Sequence, residues 1–313
     1  MEAQGTFQTD ATAEAGTKIG TAFIPHPLAV EALESIDDLF TATPSADGGW
    51  CGLLTGPTGS GKSAVLRAFC SQHKPTENPG LTQPVLSVAL PDKCNTRTLS
   101  EVLLTAQRDP AASRRSSIPQ MQEAAVKHLI KQKTRLVIFD EAQHAIRGKS
   151  SYEAANFFKH IVNQSKVNVL LAGLPSTAEL LDNDQLESRT MISADLRAFD
   201  WWNAGDRKIF RGVLKQMQAM LRYPVLGFNF TDEDWAWRFS YGSRGLMRPI
   251  VKFLMLLERR AEREERTMIA PEMLAPVWAR MPKKEWKLPG SPFELKSMPK
   301  PWKPADASEG DRA

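Results

Sequence analysis

The sequence has few cysteines and no long hydrophobic run. Its 313 residues include three cysteines, Cys51, Cys70 and Cys94, which lack the spacing of metal ligands. An odd number of cysteines also argues against a disulfide framework, so a reducing compartment is favoured. The N-terminus lacks the basic start and apolar core of a secretion signal, and no apolar run approaches the ~18 residues that a membrane helix needs. We therefore expect a cytoplasmic protein without membrane contact.

Neither sign of charge dominates. There are 40 Lys and Arg residues against 36 Asp and Glu residues, giving a net charge of +4 and a pI near 8.9. This balance permits binding to nucleic acid but does not require it. With 42% hydrophobic and 24% charged residues, the chain has the composition of a soluble globular protein. Its length allows one large core, or one core and a small second domain.

Strand and helix signals alternate through residues 23–203, which predicts a parallel sheet covered by helices. Strands are expected at 50–56, 84–90, 135–140, 167–173 and 195–201. Helices are expected at 25–40, 63–72, 98–107, 118–132, 152–164 and 175–182. From residue 204 onward, helical segments near 204–222, 231–241, 243–263 and 271–280 follow without an intervening strand. The prediction is a flexible arm over 1–22, an α/β domain over 23–203, a helical domain over 204–280 and an extended Pro/Lys/Trp-rich tail over 281–313.

The segment "GPTGSGKS", from Gly56 to Ser63, matches the phosphate-binding pattern G-x-x-x-x-G-K-[ST] in full. It lies between a predicted buried strand and a predicted helix, where glycines let backbone N–H groups turn toward phosphates. Lys62 would reach the β- and γ-phosphates of ATP, and the Ser63 hydroxyl would bind Mg²⁺. The expected nucleotide-binding residues are Gly56, Pro57, Thr58, Gly59, Ser60, Gly61, Lys62, Ser63 and Ala64.

The segment "LVIFDE" supplies the second half of a hydrolytic site. Its four apolar residues predict a buried strand, and ligands bind at the carboxyl ends of strands in such sheets. Asp140 would hold Mg²⁺, and Glu141 would act as the general base that polarises the attacking water. Together the two motifs predict an ATP-hydrolysing P-loop domain.

The continuation "DEAQHA" resembles a hallmark of the TniB/TnsC transposition regulators within the AAA+ ATPases. The segments "IPHPLAVEALESIDDLF", "ALPDKCNTRTLSEVLL" and "LAGLPSTAELLDNDQLESRT" resemble the same family, so the likeness covers roughly residues 23–263. It implies the AAA+ P-loop fold: a parallel five-stranded sheet with helices on both faces, followed by a small helical lid.

The resemblance also assigns roles to arginines. Arg189 matches the arginine finger that reaches the γ-phosphate of a neighbouring subunit, and Arg248 matches the sensor arginine of the lid, with Arg244 as the competing choice. AAA+ proteins usually carry Asn, Thr or Ser at the end of the fourth strand, whereas this chain has Gly173, Leu174 and Pro175 there. Ser176 or Thr177 is the nearest candidate for that sensor.

The family implies ATP-dependent homo-oligomers, as rings or filaments, on duplex DNA, with a transposase and a target selector as partners. Sequence-tolerant DNA contacts are expected from Lys93, Arg97 and Thr98, and from Arg147 and Lys149. Gln143 and His144 are expected to hydrogen-bond near the nucleotide or the subunit interface. A histidine that is merely packed is the alternative for His144.

The leading hypothesis is an ATP-dependent, DNA-binding regulator of transposition in the bacterial cytoplasm. It would mark a target site and recruit the transposase, and hydrolysis would dismantle the assembly. One alternative is an ATPase of the ExeA secretion type that acts on protein partners, although such chains usually carry a transmembrane segment and a wall-binding region. Another is a replication loader or initiator, which a helix-turn-helix domain after the lid would favour; residues 281–313 are too short and proline-rich to form one.

Overall fold

The computed structural model describes residues 18–77, 80–112, 117–146, 150–182, 184–282 and 290–294. The chain divides into two compact units. One spans Pro25–Phe199, and the other comprises the described residues of Met1–Ile24 and Asp200–Ala313. Among the described helices, none combines the length and the apolar character needed to span a bilayer.

The first unit is built on one parallel sheet of five strands: β1 (Cys51–Thr55), β2 (Val85–Ala89), β3 (Leu136–Asp140), β4 (Asn168–Gly173) and β5 (Thr190–Asp195). In the sheet they lie in the order β2-β3-β4-β1-β5. Every residue of β1 and of β4 is buried, as expected for central strands that are covered on both faces. Four of the five lie where the sequence predicts them, within one residue at each end.

The fifth strand is wrong in the prediction, which put it at 195–201. The observed strand β5 lies at Thr190–Asp195 and pairs with β1 at the edge of the sheet. Because it is an edge strand, its residues alternate between half-buried and exposed, and no apolar run marks it. Leu196 and Phe199, two apolar residues within the predicted range, are buried beyond its end.

Helices fill the connections between strands, and several begin at a residue whose side chain accepts a hydrogen bond from the first turn. Asn95 caps the fourth helix by accepting from the Thr98 backbone N–H, and Ser117 caps the fifth by accepting from that of Gln120. In this unit the α-helices are α2 (Pro27–Thr41), α3 (Lys62–Gln72), α4 (Thr96–Ala106), α5 (Ile118–Lys131), α6 (Ser150–Ser165) and α7 (Asp184–Glu187). The helix expected near 175–182 is a 3₁₀ helix, Pro175–Asp182.

The second unit is helical. It contains α1 (Lys18–Thr21), α8 (Ala204–Ala219), α9 (Glu233–Ser243), α10 (Met247–Arg263) and α11 (Leu274–Trp278). Its core is aromatic: the Phe253 ring contacts that of Phe239 at a centroid distance of 6.2 Å and that of Trp278 at 5.2 Å. Such edge-to-face pairs contribute roughly 0.5–1.5 kcal/mol each beyond their burial.

Two segments expected to lie outside any core belong to this unit. Phe293, in the segment predicted as an extended tail, is fully buried, and its ring stacks on that of Phe253 at 4.9 Å. Arg238 Nη1 donates to the carbonyl oxygens of Pro292 (2.6 Å) and Glu294 (3.1 Å), which fixes the segment's backbone. At the other end of the chain, Ile19 in the segment predicted as an arm is also buried. The tryptophans of the tail, Trp286 and Trp302, lie outside the described residues.

Candidate nucleotide-binding and hydrolysis site

The phosphate loop connects the end of β1 to the start of α3, as the motif predicts. Its three glycines all adopt positive φ angles: 153° at Gly56, 89° at Gly59 and 116° at Gly61. Residues with a Cβ rarely adopt such angles. A Cβ at Gly56 would also clash with the Leu196 carbonyl oxygen and the Ser60 hydroxyl. The glycines are therefore required by the backbone path and not only by the ligand.

Lys62 is the first residue of α3 and is only 8% exposed. Its Nζ donates to the carbonyl oxygens of Gly56 (2.6 Å) and Pro57 (3.2 Å), so the ammonium lies inside the loop. The Ser60 hydroxyl in the same loop is buried and has no hydrogen-bond partner among the described residues. A buried ammonium, an unsatisfied hydroxyl and the positive end of a helix that begins after Gly61 are the donors that a triphosphate requires.

The two motifs meet through Ser63 and Asp140. The Ser63 hydroxyl donates to Asp140 Oδ2 at 3.5 Å, although 77 residues separate them along the chain. Burial raises the pKa of Asp140. The Glu141 backbone N–H, which donates to Asp140 Oδ1 at 2.9 Å, and the Lys62 charge both act in the opposite direction. A hydroxyl and a carboxylate this close are oxygen ligands of the type that Mg²⁺ prefers, so the residues fit the ion.

Glu141 follows β3 directly, in a left-handed backbone conformation with φ 58°. Its side chain is exposed at the carboxyl end of the sheet, beside Asp140. The Gln143 Nε2 donates to Glu141 Oε2 at 2.5 Å, and the Gln143 Oε1 accepts from the Leu174 backbone N–H at 3.1 Å. The sequence predicts that Gln143 forms hydrogen bonds. It does not identify these two partners, which are brought together because β3 and β4 are adjacent strands.

His144 links the same turn to the segment after β2. Its Nδ1 lies 3.1 Å from Asp92 Oδ1, and its carbonyl oxygen accepts from the Cys94 backbone N–H at 3.2 Å. A role in packing alone, the alternative for His144, does not account for this polar contact. The sequence does not identify Asp92 as a functional residue, because a single acidic residue in a loop matches no motif.

The expected DNA-contacting residues after β2 lie on one short segment. Lys93 is exposed, and Arg97 Nε lies 2.9 Å from Glu101 Oε1 within α4. The Thr98 hydroxyl donates to the Asn95 side chain at 3.1 Å, as part of the helix cap. Arg147 and Lys149 lie outside the described residues.

Arg189 lies at the amino ends of the strands, whereas the phosphate loop lies at their carboxyl ends. It precedes β5, and its carbonyl oxygen accepts from the backbone N–H of Cys51, the first residue of β1. Its Nη2 donates to the Asp47 carbonyl oxygen at 3.1 Å. The loop begins after the last residue of β1, about 13 Å further along at about 3.3 Å per residue. Arg189 therefore lies about one strand length from the phosphate loop of the same chain.

The other two arginines belong to the helical unit. Arg248 is exposed in the first turn of α10, and Arg244 is exposed at the end of α9 with φ 54°. Of the two candidates for the sensor of the fourth strand, Thr177 is fully buried and Ser176 is exposed.

Comparisons with known proteins agree with this geometry. The family model "Bacterial TniB protein" matches residues 20–196. The fold is similar to the ORC2 protein of Aeropyrum pernix in ADPNP–ADP complexes (TM-score 0.61, 16% identity, 87% of this chain and 74% of that one). It is also similar to A. pernix ORC1 in complex with DNA (TM-score 0.63, 15% identity, 85% and 69%). A third match is Cdc6p of Pyrobaculum aerophilum (TM-score 0.59, 15% identity, 86% and 71%).

No curated protein matches the sequence. The structural likenesses, at these identities, establish the AAA+ P-loop fold that the sequence predicts. The family model covers more than half of the chain, and it confirms the resemblance read from "DEAQHA". The chain therefore belongs to the TniB family and is an AAA+ ATPase.

Proposed function

We propose that the protein is an ATP-dependent regulator of transposition in the bacterial cytoplasm. It assembles on duplex DNA with ATP bound, marks the target site and recruits the transposase, and hydrolysis then dismantles the assembly. The observation that carries the proposal is the meeting of Ser63 with Asp140 at 3.5 Å, with Glu141 beside them, in a chain of the TniB family.

Each side chain of the site has a distinct task. The loop from Gly56 to Ser63 and the Lys62 ammonium bind the phosphates. Ser63 and Asp140 would hold Mg²⁺, which would neutralise charge on the phosphate oxygens. Glu141 accepts a proton from the attacking water and orients it.

Arg189 completes the site from a neighbouring subunit. Its position at the amino ends of β1 and β5 supports action in trans, because its own phosphate loop is out of reach. A cation that arrives only across an interface makes hydrolysis depend on assembly. In the lid, Arg248 acts as the sensor arginine, so that the position of the lid depends on which nucleotide is bound.

DNA binding is assigned to Lys93, Arg97 and Thr98, with Arg147 and Lys149 contributing further charge. The His144–Asp92 contact supports a link between this segment and the hydrolytic residues, because His144 lies three residues after Glu141. The solved structures of similar fold include A. pernix ORC1 in complex with DNA and Drosophila ORC bound to DNA, which supports duplex DNA as the partner. Contacts to phosphates make the affinity salt-dependent and tolerant of sequence.

The decisive test is electron microscopy of the protein with duplex DNA, with and without a non-hydrolysable ATP analogue. Rings or filaments that require both DNA and the analogue are the expected result. The variant Glu141→Gln removes the base while keeping the shape of the side chain, so it should bind ATP and remain on DNA longer than the wild type. Wild-type lifetimes on DNA for this variant would contradict the role of hydrolysis as a timer.

The ORC and Cdc6 likenesses favour one second candidate, a replication initiator or loader. The two functions differ in the partner that the assembly captures. Binding of the ATP-bound assembly to the cognate transposase, measured by co-sedimentation on non-specific DNA, supports the regulator. Binding confined to one DNA sequence, with no affinity for the transposase, supports the initiator.

A further inference from the structure

The end of β4 lacks the polar side chain that the AAA+ family usually places beside the nucleotide. Gly173 ends the strand, and Leu174 and Pro175 follow. Strand β2, which pairs with β3 as β4 does, is likewise followed by Leu90 and Pro91. None of these side chains can hydrogen-bond to the Glu141 carboxylate, although the base has to be held in place to act on water.

The Gln143 side chain supplies the polar group that the residues after β2 and β4 lack. Its carboxamide spans two elements, donating from Nε2 to Glu141 Oε2 and accepting at Oε1 from the Leu174 backbone N–H. The orientation of the amide is determined by its partners, because a carboxylate can only accept and a backbone N–H can only donate. Only one oxygen of Glu141 is engaged by Gln143, so the other is available to a water molecule.

Gly173 is what makes room for this arrangement. A Cβ at position 173 would clash with the Gln143 Oε1 and with the Thr177 hydroxyl. The Thr177 hydroxyl is buried and has no hydrogen-bond partner among the described residues. The glycine and the glutamine therefore form one packed unit, and any side chain on the glycine would displace the carboxamide.

We propose that Gln143 is the positioning residue for the catalytic base, and that its bond to Leu174 couples the geometry of Glu141 to the segment that follows β4. A shift of that segment moves the carboxamide and, with it, the carboxylate. The proposal rests on the assignment of Glu141 as the base and adds the residue that holds it.

The test measures steady-state ATP hydrolysis and the affinity for a fluorescent ATP analogue in the full-length protein. Gln143→Ala should lower kcat roughly 10- to 100-fold, the cost of a misplaced catalytic group, while the affinity changes less than about twofold. Gln143→Glu keeps the shape and the acceptor for Leu174 but places a second carboxylate against Glu141. It should therefore be no more active than the alanine variant. Gln120→Ala, an exposed glutamine on α5, is the matched control and should leave kcat unchanged.

A double-mutant cycle separates positioning from a general loss of structure. Gly173→Ala should lower kcat as Gln143→Ala does, and the double variant should be no worse than the lower single variant because both remove the same contact. Melting temperature and nucleotide affinity report whether each variant folds. If Gly173→Ala does not fold, the kcat values of Gln143→Ala and Gln143→Glu still test the proposal. An unchanged or raised kcat in Gln143→Ala would overturn the proposal, as would multiplicative losses in the double variant.

Glu141→Gln distinguishes failure of the proposed function from failure of the role proposed for Gln143. If it hydrolyses ATP normally, then Glu141 is not the base and the proposed function of the site fails. If it abolishes hydrolysis while Gln143→Ala does not change kcat, only the role of Gln143 fails.

Discussion

The carboxyl ends of the parallel strands (the carboxyl edge) and their amino ends (the amino edge) carry different parts of the proposed hydrolytic site. At the carboxyl edge, Lys62, Ser63, Asp140 and Glu141 converge from β1 and β3. At the amino edge, Arg189 is held against the Asp47 carbonyl oxygen. Parallel strands bring residues from distant points of the sequence to the same edge, but they also keep the two edges apart by the length of a strand. A single chain therefore contains every part of the proposed site without bringing all of them together.

The largest effect should come from the carboxyl edge. Lys62→Ala removes the buried ammonium from the phosphate loop, so ATP affinity should fall by roughly 10- to 100-fold, as expected for a lost charge-assisted hydrogen bond. ATP hydrolysis and ATP-dependent association with DNA should both be abolished. Titration with a fluorescent ATP analogue and co-sedimentation with DNA measure these losses. Lys74→Ala, an exposed lysine after α3, is the control; a Lys62 variant with normal turnover would contradict the site.

Arg189→Ala tests the amino edge. Hydrolysis should fall by about 10³-fold, the typical contribution of an arginine finger, while ATP affinity stays near that of the wild type. Mixing this variant with Lys62→Ala should restore part of the activity, because each supplies the part that the other lacks. Arg67→Ala, an exposed arginine on α3, serves as the control. Failure of the mixture to exceed either variant alone would argue that Arg189 does not act across an interface.

A smaller effect is expected from the segment after β2, which also lies at the carboxyl edge. Removing Lys93 and Arg97 together by alanine substitution should weaken DNA binding and reduce the slope of log affinity against log salt by about 1 to 2. ATP affinity should not change. Fluorescence anisotropy at several salt concentrations gives the slope. Alanine substitutions of Lys127 and Lys131 on α5 remove the same charge elsewhere; an equal loss from that pair would place DNA binding on another surface.

The smallest effect concerns stability alone. His26 caps α2 through Nδ1, which accepts from the Ala29 backbone N–H at 3.3 Å, and burial lowers the pKa of His26 to about 4. The unfolded chain binds a proton near pH 6.5 while the folded chain does not, so the free energy of unfolding falls as the pH drops from 6.5 toward 4. In His26→Asn the cap is kept without a titrating group.

Urea unfolding at pH 7.5 and pH 5.5 measures this difference. The wild type should lose about 1 kcal/mol more than the asparagine variant between the two pH values. The same pH dependence in both proteins would show that other groups are responsible. The effect lies at the carboxyl edge, since His26 packs against Phe199 beyond β5, yet it involves no phosphate chemistry.

Prediction from the sequence succeeded where the signal is local. Gly56 to Ser63 and the run before Asp140 each specify their structure within a few residues, because backbone turns and buried strands have characteristic compositions. It failed for β5, whose alternating pattern at a sheet edge has no apolar run, and for Phe293, a single aromatic residue in a proline-rich stretch. Phe293 packs into the core by stacking on Phe253, and no neighbouring residue in the sequence indicates that partner.

The sequence by itself determined the phosphate loop, the two acids at the end of β3, the AAA+ fold and the TniB family. Only the tertiary structure decided three further features. Ser63 contacts Asp140, Gln143 hydrogen-bonds to both Glu141 and Leu174, and Arg189 lies at the amino edge. The physical reason is the order of the strands. Motifs are fixed by short-range backbone geometry, whereas the distance between two motifs depends on which strands become neighbours, and that is settled by burial of the whole sheet.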